Sequence, residues 1–186
     1  MRRKVATLLC LVFMLCGCSK SNGPLEKAIS LRNRILESNG CSFSATVTAD
    51  YGEKLYTFSM DCTTDKEGTV SFNVTKPETI GGIKGKISAQ GGALTFDDKV
   101  LAFETLTDGE ISPVTAPWIF IKTLRSGYMR GCTDENGGYQ IVIDDSYEAD
   151  ALRLNIFVEN NLPVSGEIFW KGRRVLSITV DNFTYL

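Results

Sequence analysis

The chain has 186 residues, with 20 Lys+Arg against 22 Asp+Glu and no histidine at all. That absence excludes Ser-His-Asp and Cys-His catalysis and histidine general bases, and it removes the commonest zinc ligand. A formal balance of −2 with no basic stripe argues against nucleic acid as a partner.

The first element is a leader. Arg2, Arg3 and Lys4 form a basic start, and Val5 to Leu15 is an almost uninterrupted apolar run. It is too short to span a bilayer and has the order of a signal peptide. It ends in Leu15-Cys16-Gly17-Cys18, which resembles the lipobox of bacterial lipoproteins: an aliphatic residue, two small ones, then the cysteine to be acylated. Cys16 is the other possible acceptor, but Phe13-Met14-Leu15 before it is too bulky for cleavage. The resemblance implies lipid on Cys18. Two acyl chains there hold a protein stably, at ~0.8 kcal/mol per buried CH2. The expected organisation is a signal peptide over 1–17, the lipidated cysteine and a tether over 18–23, and a single domain over 24–186. The expected location is extracytoplasmic, on the cell membrane or on an outer membrane if the host has one. Without residues 1–17 the chain keeps 17 Lys+Arg against 22 Asp+Glu, a balance of −5 that disfavours an anionic surface.

Pro24 suits the first position of a helix running over 25–38. Leu25, Ala28, Ile29, Ile35 and Leu36 fall on one side of it, with Arg32 interrupting the stripe. Asn39-Gly40 supplies the stop. From Cys41 the period changes to two. Cys41, Phe43, Ala45, Val47 and Ala49 alternate with hydroxyl residues, and Tyr56, Phe58, Met60 and Cys62 continue the alternation after a turn. This predicts a hairpin with one apolar face. With Tyr51-Gly52 as a two-residue turn, Phe43 faces Met60, Ala45 faces Phe58, Val47 faces Tyr56 and Cys41 faces Cys62. Further strands are expected over 69–75, 83–89, 93–97 and 100–105. A short helix follows over 113–124, with Trp118, Ile119, Phe120 and Leu124. Strands over 139–144, 151–159, 164–170 and 175–181 finish the chain, the last two joined at Lys171-Gly172-Arg173. The fold class is therefore α+β: a strongly curved antiparallel sheet of about ten strands, an open half-barrel, covered by an N-terminal helix and a short mid-chain helix.

This order of elements resembles the lipoprotein-carrier superfamily of LolA/LolB-like half-barrels, which includes sporulation-associated and sigma-factor regulatory envelope lipoproteins. The residues that carry the resemblance are the helix Leu25–Ser38, the strand-to-loop stretch Phe72-Asn73-Val74-Thr75-Lys76-Pro77, the Ser112-Pro113 entry to the mid-chain helix, and Leu162-Pro163-Val164-Ser165-Gly166-Glu167-Ile168. It implies a concave apolar cavity for an acyl chain, a lipid or a lipoprotein, without catalysis or cofactor. The arginine that the family's soluble carriers use to release cargo has no matching position here. The lipid anchor is a further departure and implies a fixed receptor or sensor rather than a shuttle. The other reading is a non-catalytic envelope scaffold or signalling lipoprotein that acts on an envelope protein partner.

The candidate cavity residues are Phe43, Val47, Phe58, Met60, Phe72, Trp118, Phe120 and Trp170. A packed core uses the same side chains. Trp118 and Phe120, on the element that would cover the open sheet and flanked by Pro113 and Pro117, are the candidates for a lip or lid. Of the cysteines beyond Cys18, Cys41 and Cys62 fall on a non-hydrogen-bonded pair in the expected register, with Cα atoms about 4.5 Å apart. A Cys41–Cys62 disulfide would close a loop of about twenty residues and contribute roughly 3 kcal/mol in the chain-entropy model. The alternatives are three free thiols, or Cys132 as one partner. No metal site is expected, since no C-x-x-C pair is present among these cysteines. Asp97-Asp98 and Asp144-Asp145 are the visible carboxylate pairs. Neighbours on a strand point to opposite faces, so neither pair shares a site, and the stretch with Glu148 and Asp150 reads as a solvated acidic loop.

Overall fold

The computed structural model describes residues 23–96, 99–103, 106–107 and 110–186. The leader, Cys18 and the Asp97-Asp98 pair lie outside the described residues. Helix α1 is Pro24–Glu37, with the proline in its first turn as expected. Strands β1 (Cys41–Asp50), β2 (Leu55–Thr64), β3 (Val70–Lys76), β4 (Lys84–Ser88), β5 (Gly91–Phe96) and β6 (Lys99–Phe103) follow. A two-residue ribbon, β7 (Leu106–Thr107) with β8 (Glu110–Ile111), leads to helix α2 (Ala116–Ser126). Strands β9 (Tyr128–Glu135), β10 (Gly138–Asp144), β11 (Arg153–Glu159), β12 (Leu162–Trp170) and β13 (Arg173–Tyr185) complete the chain.

Eleven strands make one antiparallel sheet in the order β6-β5-β4-β3-β2-β1-β13-β12-β11-β10-β9. It is an open half-barrel whose edges are β6 and β9. Strand β9 has no counterpart in the sequence reading. It lies on the edge with most side chains exposed, so it lacks the apolar alternation that marks the inner strands.

The registers align the inner face in rows. One runs Ile141–Ile156–Gly166–Ile178–Val47–Phe58 across β10, β11, β12, β13, β1 and β2. The glycine leaves a hole in this row, and Phe120 of α2 fills it. A Cβ on Gly166 would stand 2.8 Å from the Phe120 ring and 3.2 Å from Ile178. On the outer face of β1 and β2, Thr46 meets Ser59 and Thr48 meets Thr57, each at 3.1 Å, so hydroxyl pairs face water there.

The β1–β2 hairpin corrects the expected pairing. Phe43 faces Cys62, Ala45 faces Met60 and Val47 faces Phe58. The turn is the four-residue loop 51–54, closed by Tyr51 N–H donating to the Lys54 carbonyl at 3.0 Å. It is further tied by Gly52 N–H donating to the Asp50 carboxylate at 2.8 Å. A two-residue slip preserves every face and changes every partner. The expected disulfide falls with it: Cys41 sits beside Thr64, 3.2 Å from its hydroxyl, and Cys41, Cys62 and Cys132 are free thiols. At the other hairpin the loop shortens to Lys171-Gly172, with Trp170 paired to Arg173.

Helix α1 turns a different face to the core than its stripe suggests. Ala28, Leu31 and Ile35 are buried, while Leu25, Ile29 and Leu36 are exposed. Arg32 explains its own place in that stripe. Its Nε donates to the Leu124 carbonyl at 2.7 Å, and one terminal nitrogen donates to the Gly127 carbonyl at 2.7 Å. The guanidinium thus caps the C-terminal carbonyls of α2, where a cation also meets the negative end of the helix dipole. Burial lowers its pKa from the usual 12.5, and the group stays charged. Arg125 returns the contact, donating to the Lys66 carbonyl at 2.7 Å and the Ile35 carbonyl at 3.4 Å. The two arginines join α1, α2 and the β2–β3 loop. Arg32→Ala is expected to cost roughly 1.5–3 kcal/mol in urea unfolding, because two charge-assisted bonds go and two carbonyls lose a partner. Leu25→Ser, on the exposed side, is expected to change little, and equal effects from both would contradict the capping role.

Candidate functional site

The inner face is covered unevenly. One row runs Phe43–Cys62–Phe72–Gly85–Leu94–Leu101 across β1, β2, β3, β4, β5 and β6. Phe43, Cys62 and Phe72 are buried, with Phe43 stacked on Phe183 at 5.8 Å. The Phe72 ring lies directly over Gly85, where a Cβ would collide with it. Beyond that glycine the cover stops: Leu94 is half-buried and Leu101 is 65 % exposed. Phe96, two residues along β5 from Leu94, is 53 % exposed on the same face.

The same sheet margin, where the β1–β2, β3–β4 and β12–β13 hairpins turn, mixes apolar side chains with exposed charges such as Glu53, Lys54 and Glu78. Tyr56 and Ile80 are exposed there, and Tyr51 meets Tyr56 edge-on at 6.0 Å. At its β12 end an apolar cleft of about 240 Å³ is lined by Tyr51, Ile111, Trp170 and Val175, with Asp50, Lys171 and Arg173 at its rim. Tyr51 donates its hydroxyl to the Ile111 carbonyl at 3.2 Å, and Arg173 pairs with Asp50 at 3.4 Å. The Lys171 ammonium sits 4.4 Å over the Trp170 ring.

Helix α1 lies along the opposite margin. Asn39 N–H donates to the Leu186 carbonyl at 3.0 Å, and Tyr139 donates its hydroxyl to the Lys27 carbonyl at 3.3 Å, so both ends of α1 are tied there. A second cleft of about 350 Å³ lies on this side between Leu36 of α1, Trp118, Lys122 and Arg125 of α2, and the loops 67–69 and 88–90.

The candidate residues named from the sequence separate into two groups. Phe43, Val47, Phe58, Met60, Phe72, Phe120 and Trp118 are buried within one continuous core. Trp118 also edges the cleft beside α1, and half-buried Trp170 lines the cleft at the other margin. The sequence reading passed over Leu94, Phe96 and Leu101. Their alternation was visible, but exposure depends on where the helices end. The acidic loop is held by its own bonds: Asp144 pairs with Arg153 at 2.9 Å and Arg130 at 3.4 Å, and the Asp145 carboxylate accepts from Leu152 N–H at 2.8 Å. Among the described residues no group of His, Cys, Asp or Glu could hold a metal ion, and no helix is long and apolar enough to cross a membrane.

The architecture is an open antiparallel half-barrel with two covering helices and an uncovered apolar strip at β5 and β6. No protein-family model matches the chain, and no curated protein matches it in sequence. Among solved structures it is similar to a Vibrio parahaemolyticus domain assigned to outer membrane lipoprotein sorting, at 12% identity, covering 87% of this chain and 92% of that one with a TM-score of 0.49. It is similar to a LolA superfamily protein from Nitrosomonas europaea, at 8% identity, 84% and 92% coverage and a TM-score of 0.45. It is also similar to the Mycobacterium tuberculosis lipoprotein LppX, at 12% identity, 88% and 96% coverage and a TM-score of 0.42. The likeness is one of chain path.

Burial raises the thiols of Cys41, Cys62 and Cys132 above the ordinary value of 9.0, and pushes the Tyr139 hydroxyl up to about 12. Each ionises to an anion, so the folded chain keeps protons that the unfolded chain loses. Their contribution to stability is complete below about pH 9 and is lost as pH rises toward 12. The melting temperature is therefore expected to fall between pH 9 and 12, and Cys62→Ala is expected to flatten that slope. At pH 8 an alkylating reagent is expected to modify half-buried Cys132 first, with Cys41 and Cys62 reacting only after denaturation. Rapid native labelling of Cys62 would contradict its burial.

Proposed function

We propose that this protein is a membrane-anchored extracytoplasmic lipoprotein, held by lipid on Cys18, that binds a hydrophobic ligand on the open part of its concave face. The observation that carries the reading is the row from Phe43 to Leu101, in which an apolar face continues past the point where its cover ends. Fully burying a Leu or Phe is worth roughly 1.5–3 kcal/mol, so leaving Leu101 and Phe96 in water forgoes stability that a ligand would supply. Exposed apolar patches of this kind mark interaction sites. The cleft at Trp170 alone, at about 240 Å³, is smaller than a typical small-molecule site. Exposed Tyr56 and Ile80, between it and Phe96, add apolar surface available to an acyl chain.

A second reading rests on the filled interior. Phe120 seated on Gly166 leaves the middle of the half-barrel solid. In that case the open strip meets an apolar segment of an envelope protein, and the chain acts as a scaffold or signalling lipoprotein. No catalytic step is part of either reading.

The domain from Ser19 onward contains every buried contact described above, and it is the material for native mass spectrometry after export behind an ordinary secretory leader. A co-purifying lipid-sized mass, or uptake of fatty acid, phospholipid or lipopeptide, is the expected result. Phe96→Asp with Leu101→Asp is expected to weaken that binding by about tenfold or more, the loss of about 1.4 kcal/mol of apolar contact. A domain that stays empty with all three ligands would reject the ligand reading and leave the scaffold.

A further inference from the structure

We infer that helix α1 is a membrane-docking surface: its outer stripe of Leu25, Ile29 and Leu36 lies on the lipid bilayer that holds the anchor. The inference rests on the lipidation of Cys18 proposed above. At 100° per residue these three side chains fall within about 40° of one another, on a face roughly 110° round from the buried Ala28, Leu31 and Ile35. The helix therefore has two apolar faces, one spent on the core and one in water, with Leu25 52 %, Ile29 46 % and Leu36 42 % exposed.

The tether selects the occupant. Five residues, 19 to 23, separate the acylated cysteine from Pro24, and fully extended the six steps between them reach no more than about 22 Å. The first turn of α1 is thus confined to the membrane surface by the anchor, and the helix, about 21 Å long, is within reach of it along its whole length. Confinement makes docking intramolecular, so a stripe too small to bind a bilayer alone is sufficient once anchored. A helix lying in the interface buries its apolar face to about 5–10 Å, which suits three half-exposed aliphatic side chains.

Beside the stripe lies a lysine long enough to reach a headgroup layer. At Leu36 the stripe runs into the 350 Å³ cleft lined by Trp118, Lys122 and Arg125. Lys122 lies 5.2 Å over the Trp118 ring and pairs with Asp145 at 3.6 Å, with an apolar stem and a charged end suited to the boundary between tails and water. The net negative charge of the mature chain makes apolar contact, rather than attraction to anionic lipid, the driving term.

The test uses the full lipidated protein in phosphatidylcholine vesicles, in a Cys132→Ser background. A fluorophore is placed at Ile29→Cys on the stripe or at Thr57→Cys on the outer face of β2. Nitroxide-bearing phosphatidylcholine is expected to quench the label at 29 at least twofold more than the label at 57. Leu25→Ser with Leu36→Ser, both at exposed positions, is expected to bring position 29 down to the level of 57. Equal quenching at both sites, with the diacylglyceryl mass confirmed on Cys18, would overturn docking and leave the anchor standing. A mature chain without that mass would overturn the anchor, and docking with it.

Discussion

An eleven-stranded antiparallel sheet with one apolar face persists in water only if that face is covered, and this chain covers it with two helices of 14 and 11 residues. The economy of that cover governs the rest of the structure. Helix α2 inserts Phe120 into the hole left by Gly166, and α1 lays Ala28, Leu31 and Ile35 along one margin. What they do not reach stays in water, and that remainder is the strip at β5 and β6.

The clasp between the helices is electrostatic and directional rather than apolar. Arg32 and Arg125 both spend their donors on backbone carbonyls, so the guanidinium groups are satisfied without a carboxylate partner in those bonds. This fixes the angle between α1 and α2 more strictly than side-chain packing does, because a planar fork tolerates little rotation. Each helix consequently presents a defined outer surface.

Much of this was legible in the sequence, and the reasons differ by element. Alternation marked the inner faces of β1 and β2 because the period of two survives any even slip, whereas the pairing depended on a turn of four residues instead of two. That difference decided whether Cys41 faced Cys62 or Thr64. Edge strand β9 was silent because it buries little. In α1 the spacing showed apolar residues without showing which of two arcs would meet the core. Phe43, Val47, Phe58, Met60 and Phe72 lie on inner strand faces, but a filled interior and a binding surface draw on the same amino acids. Only the extent of the cover separates Phe72, sealed against Gly85, from Leu101 three strands further on.

The sheet also never closes on itself. Beyond β9, where another strand would complete a ring, α1 packs against the edge through side chains, including the Lys27–Asp134 pair at 3.1 Å and the bonds of Arg32 near the start of β9. A closed barrel widens only by breaking a ladder of main-chain hydrogen bonds. Here the seam is made of side chains, and all ten strand-to-strand ladders lie between the two free edges, β6 and β9. The gap between the two edges is thus set by how α1 and the two arginines seat against β9 and α2, and not by a ladder of main-chain bonds.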